Sequence, residues 1–156
     1  MTGRLRTVVL GGLVVLLLGL GSGGQAAEER VIHMAAIEPK GGTMVDKEPY
    51  PAGELPKGGG YVKKAPDQNG RWEVSVYQFS PATVVVRQGE RVTLELIGIN
   101  GAKHSVSIDK YLPADSVVTR GQIARVGFTA DTPGVFTIHC KEHEPSMTGT
   151  LVVLPR

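Results

Sequence analysis

Cysteine is almost missing from this chain. Of 156 residues, Cys140 alone is a cysteine, so no internal disulfide can staple the fold. Charge of one sign is missing as well. Without Arg4 and Arg6 of the first segment, 15 basic residues face 15 acidic ones, and no clustered basic face marks a nucleic-acid binder. The longest uninterrupted apolar run lies within "TVVLGGLVVLLLGLG". It falls short of the roughly 18–20 residues that a membrane-spanning helix needs. No window carries a sustained 3.6-residue apolar period, which excludes a helical bundle, and no internal repeat suggests a solenoid.

What is present divides into three parts. Residues 1–27 read as a signal peptide: a short basic start, the apolar run, then "GSGGQAA" with cleavage after about Ala26 or Ala27. An uncleaved anchor is the alternative, and the lack of a cysteine at the cleavage point excludes a lipid-anchored lipoprotein. Residues 28–70 are dense in Gly, Pro, Lys and Glu and read as an irregular arm, with a short strand around Val31–Ala36 as its one regular candidate. Residues 71–156 are β in pattern. "WEVSVYQF", "TVVVR", "RVTLELIGI", "HSVSI", "QIARVGF", "GVFTIHC" and "GTLVVL" are short runs rich in β-branched residues, separated by turn formers. Seven such runs in about 85 residues imply an all-β, antiparallel Greek-key sandwich or small barrel. Around "YLPADSV" the pattern breaks, and a loop or helical turn is expected there.

Strand parity sharpens this reading. In "GVFTIHC", Phe136, Ile138 and Cys140 share one face, and Thr137 and His139 the other. The apolar set must face the core, so Cys140 points inward at a strand end and His139 outward. His143 and Met147 follow in a loop, and His104 opens the strand "HSVSI" 36 residues upstream. A lone exported thiol can be an intermolecular bridge, a buried inert group, a nucleophile or a metal ligand. A Cys–His hydrolase also needs an oxyanion site and a cleft, which nothing here supplies. One thiolate, two imidazoles and a thioether are soft to borderline donors, the set used by blue-copper sites; zinc is the second choice.

At these residues a resemblance becomes specific. "GVFTIHCKEHEPSMTGTLVV" resembles the copper-binding loop of the cupredoxin family, and "NGAKHSVSID" resembles that family's other ligand segment. The resemblance spans roughly Trp72 to Leu154. It implies a mononuclear site with His104, Cys140, His143 and Met147 as ligands to one copper ion cycling between Cu(I) and Cu(II). "P-x-x-V-x-V-x-x-G" and "G-x-x-A-x-V-x-F-T-A-D-x-P-G" are also similar to the copper domains of cytochrome oxidase subunit II and nitrous-oxide reductase. Those domains use two cysteines, and Glu144 stands where the second would fall, so a binuclear centre is not expected.

The resemblance thus implies a periplasmic, non-enzymatic protein that carries single electrons between redox protein partners. The alternative is a carrier delivering Cu(I) to a copper enzyme, with His33, Met34 and Met44 of the arm assisting. Glu142 and Glu144 flank His143 and would either steer a basic partner or sit as solvated loop carboxylates. Asn100 and Ser105 are candidates for hydrogen bonds that tie the two ligand segments together.

Overall fold

A computed structural model of the chain describes residues 29–156; the expected signal peptide, its cleavage point and any anchor lie outside the described residues. The described residues form strands and no helix, so none is long and apolar enough to cross a membrane. In chain order the strands are β1 (Glu29–Ile37), β2 (Lys40–Met44), β3 (Tyr61–Lys64), β4 (Arg71–Val76), β5 (Gln78–Ser80), β6 (Thr83–Arg87), β7 (Arg91–Gly98), β8 (Lys103–Ile108), β9 (Leu112–Thr119), β10 (Ile123–Thr129), β11 (Gly134–Cys140) and β12 (Thr148–Leu154).

Two sheets carry the core. One has the order β10-β7-β1-β5 and the other β6-β12-β11-β8-β9. From β5 onward the chain passes back and forth between these sheets, the crossover habit of the expected Greek-key sandwich. Alternation explains each layer. On β7, Val92, Leu94 and Leu96 are buried while their neighbours are not; on β12, Leu151 and Val153 are. Facing Met34, Ile108 and Ile138, these side chains fill the interior, each contributing about 1.5–3 kcal/mol by its burial.

Several features depart from the sequence reading, among them β2 and β3, which like β1 lie inside the stretch read as an irregular arm. Strand β1 lies inside the stretch read as an arm, and it is longer than the strand foreseen there. It pairs in parallel with β7 along Glu29↔Arg91 to Ala36↔Gly98 and places Met34 and Ala36 in the core. A second parallel pair joins β12 to β6 (Thr150↔Thr83 to Leu154↔Arg87), so the sandwich is not purely antiparallel. Parallel neighbours come from distant parts of the chain, which local alternation cannot register. "WEVSVYQF" is two strands in different sheets, β4 and β5, parted at Tyr77. "YLPADSV" is no loop: Leu112–Thr119 is β9, paired with β8. As an edge strand it is exposed along most of its length and tolerates Pro113, so it lacks the alternation that marks a half-buried strand.

The remaining strands form a small sheet, β2-β4-β3, beside the sandwich. Trp72 anchors it, buried edge-on to Tyr50 with its indole N–H donating to the Glu48 carbonyl at 2.9 Å.

Candidate metal centre

Register brings the donors together. Cys140, the last residue of β11, pairs with Val106 of β8. His104 lies two residues before Val106, on the same inward face and one step nearer the end of the sandwich. Both side chains are fully buried. The loop after Cys140 is closed by its own backbone: the His143 N–H donates to the Cys140 carbonyl, the Met147 N–H to the His143 carbonyl, and the Cys140 N–H to the Met147 carbonyl, at 3.0–3.2 Å. That winding is why the spacing is C-x-x-H-x-x-x-M. Each turn returns a ligand candidate to the strand end before β12 begins.

The result is a three-donor cluster. Cys140 Sγ lies 3.7 Å from His104 Nδ1 and 3.4 Å from His143 Nδ1. All three ligand atoms fall within 4.8 Å of one another. With metal–sulfur bonds of about 2.3 Å and metal–nitrogen bonds of about 2.0 Å, angles of about 110–120° at an ion require sulfur–nitrogen separations of about 3.5–3.7 Å. The His104 separation falls in that range and the His143 separation lies about 0.1 Å below it, so the donor set fits a single ion. Met147, at the end of the loop that carries His143, is wholly buried and packs in the core.

The imidazoles are oriented by what surrounds them. His104 Nε2 donates to the Asn100 carbonyl at 2.9 Å, which leaves the Nδ1 lone pair facing the sulfur. Gly101, with φ of 87°, permits this turn, because a Cβ there would press on His104 Nε2 and the Tyr77 ring. The Asn100 side chain does not tie the two ligand segments as expected. It clasps Glu38 instead, accepting from its N–H at 2.7 Å and donating to its carbonyl at 2.9 Å. Ser105 does make the tie: its N–H and hydroxyl both donate to the Glu142 carboxylate at 2.6 Å.

Electrostatics follow from this packing. Burial raises the Cys140 thiol to about 11, and the nearby Glu142 carboxylate adds to the rise. Burial lowers His143, and the neighbouring His104 ring adds to the lowering, since two protonated imidazoles side by side would repel. For Glu142, burial opposes ionisation, but the two Ser105 bonds and Lys103 outweigh it and hold the carboxyl at about 2. Glu142 is thus tied to the other ligand segment through Ser105 and Lys103. Glu144 is engaged too, at 2.8 Å from His139 Nδ1, while Asp109 meets the other ring nitrogen at 3.2 Å. That pairing raises His139, Glu144 first, and keeps both its nitrogens on carboxylates away from the cluster, as parity required.

His33, Met34 and Met44 are not gathered into a second site: His33 pairs with Glu95 at 3.0 Å, and Met34 is sealed in the core. The sequence reading missed Tyr77, whose ring stacks on His143 with centroids 3.7 Å apart and planes 17° from parallel. Its one signal was position, at the break in the "WEVSVYQF" alternation.

A β-sandwich that gathers a thiol and two imidazole nitrogens at one end defines a metal-binding sandwich domain. Its pattern is that of the cupredoxin-like domain, which matches residues 60–153, and the chain belongs to that family. Among curated proteins none matches it by sequence. Its fold is similar to that of a copper nitrite reductase from Nitrosomonas europaea (20% identity, TM-score 0.53, 83% of this chain and 42% of that one). It is similar likewise to a copper-containing nitrite reductase from Thermus scotoductus (22%, 0.53, 83% and 28%). The multicopper oxidase mgLAC is a third (17%, 0.53, 83% and 40%). The chain therefore spans less than half the length of these structures.

Proposed function

We propose that this chain is a periplasmic mononuclear copper protein that passes single electrons between redox protein partners and is not itself an enzyme. The observation that carries the reading is the Cys140 sulfur facing His104 Nδ1 and His143 Nδ1 at distances that fit one ion. A bound copper ion would supply a one-electron Cu(I)/Cu(II) couple; His104, Cys140 and His143 would hold it, with Met147 as the fourth candidate. The chain's own task is to keep these donors still while the charge changes. Strand ends hold Cys140 and His104, the Asn100 carbonyl sets one ring, the Glu142–Ser105 tie locks the two segments, and the core excludes water from the sulfur.

The other titratable groups support a carrier over a catalyst. The two remaining histidines, His33 and His139, are occupied by carboxylates, so no second imidazole site stands beside the first. Two clefts, one around Glu38, Arg71 and Ser75 and one around Arg30, Arg87 and Arg156, are lined by other residues than the donors. Export is supported by the basic, apolar and small-residue order of residues 1–27.

The test is an absorption spectrum of the copper(II)-loaded protein beside Cys140→Ser. A strong thiolate-to-copper band is expected in the parent alone, bleaching reversibly with a one-electron reductant. Identical spectra in the two proteins would remove the proposal. Weak colour together with transfer of the ion to a metal-free copper enzyme would favour the delivery role instead.

A further inference from the structure

The loop that bears His143 is gripped from outside by a part of the chain that strand pattern left unassigned. Three consecutive glycines, Gly58, Gly59 and Gly60, lie directly on its backbone. A Cβ on Gly58 would overlap the Glu144 carbonyl, one on Gly59 the Glu142 carbonyl, and one on Gly60 the His143 carbonyl and the Ser146 hydroxyl. Contact this close along three successive loop residues leaves no room for a side chain, and Gly58, at φ of 134°, also holds a backbone angle that suits glycine. By contrast, Gly53 in the same connection faces open space.

Tyr77 completes the grip. Its N–H donates to the Gly60 carbonyl at 2.8 Å, and its own carbonyl accepts the Ser146 hydroxyl at 2.9 Å. Tyr77 is therefore bonded to the glycine run on one side and to the ligand loop on the other, while its ring lies flat on His143. Cys140 and Met147, the two ends of that loop, are fully buried, and the Cys140 sulfur lies 3.4 Å from the clamped His143 ring.

We propose that Tyr77 and the Gly58–Gly60 run are positioning residues that clamp the 140–147 loop, hold the plane of the His143 ring, and limit how fast a reagent or an ion reaches Cys140. The clamp rests on the metal reading only for its effect on ions. Its effect on access to the thiol stands without any metal.

Access is measured first, on metal-free protein, by the rate at which iodoacetamide alkylates Cys140, the sole thiol, read by mass. Gly59→Val, Gly60→Ala and Tyr77→Ala are each expected to speed alkylation tenfold or more. Gly53→Ala and Tyr77→Phe, which keep the strap and the stack, are expected to stay within twofold of the parent. Circular dichroism and melting temperature identify folded variants, and Tyr77→Ala carries the comparison if a glycine variant does not fold. Alkylation within twofold of the parent in folded Gly60→Ala or Tyr77→Ala overturns the clamp. In the second arm, copper(II)-loaded protein is challenged with EDTA, and the same variants should lose the ion tenfold faster. Faster alkylation with no copper retained by the parent would leave the clamp standing and remove the copper reading; equal rates of copper loss in parent and folded variants would remove the clamp's role in holding the ion.

Discussion

The two ends of this sandwich are made by the same strands, yet they use their polar groups in opposite ways. At the far end, where β7 and β11 begin and β12 stops, the loops around Gly89 and Ala130 are closed by backbone hydrogen bonds. The Arg156 guanidinium donates there to the Gln88 carbonyl. The charged pairs of that end, Arg30–Glu90 and Lys110–Asp131, are largely exposed. At the near end the Glu142 carboxylate is turned onto the Ser105 N–H and hydroxyl, and three ligand atoms lie within 4.8 Å of one another. A sandwich end is by default a set of satisfied turns. Here strand register instead brings a thiol and two imidazoles together at that end.

The sharpest way to break this comparison is His104→Ala. Copper affinity, read by competition with a chelator, should fall by more than the roughly 10–100-fold typical of supporting residues. A smaller loss would mean that register does not make the site. Next comes Glu142→Gln, which keeps the shape of the tie but removes its charge-assisted bonds to Ser105. A drop of about 10–100-fold in affinity is expected, with a lower melting temperature. An unchanged affinity would return Glu142 to an ordinary loop carboxylate.

Acidity sharpens the contrast further. Because burial holds the Cys140 thiol up at about 11, it carries its proton at neutral pH and must release it to bind an ion. Affinity should therefore rise with pH, by about tenfold per unit from this group between pH 7 and 10. Calorimetry in buffers of different ionisation enthalpy should show about one proton more released by the parent than by Cys140→Ser. A pH-independent affinity would contradict a buried, protonated thiol. The smallest effect belongs to the far end: Asp131→Asn should change stability by no more than about 0.5 kcal/mol and leave copper affinity alone. A clear loss of copper there would show that the two ends are coupled through the core.

How much of this was legible beforehand depends on how local each signal is. Parity in "GVFTIHC" places Cys140 inward and His139 outward, and the structure has them so. The C-x-x-H-x-x-x-M spacing places His143 and Met147 in the loop that follows, where backbone bonds wind them back onto the strand end. Strand β9 was illegible because an exposed edge needs no alternation, and the parallel pairing of β1 with β7 was illegible because its partners lie some 60 residues apart.

The sequence alone determined the all-β character and the placing of His143 and Met147 in the loop just after Cys140, since alternation and spacing act over a few residues at a time; its resemblance to cupredoxins pointed to His104. Tertiary structure decided the rest: which strand ends share a pole, that Glu142 is bonded to Ser105, and that a run of glycines and Tyr77 sit on the loop of His143. Those outcomes depend on carbonyls, rings and carboxylates meeting across dozens of residues, and only packing in three dimensions sets such distances.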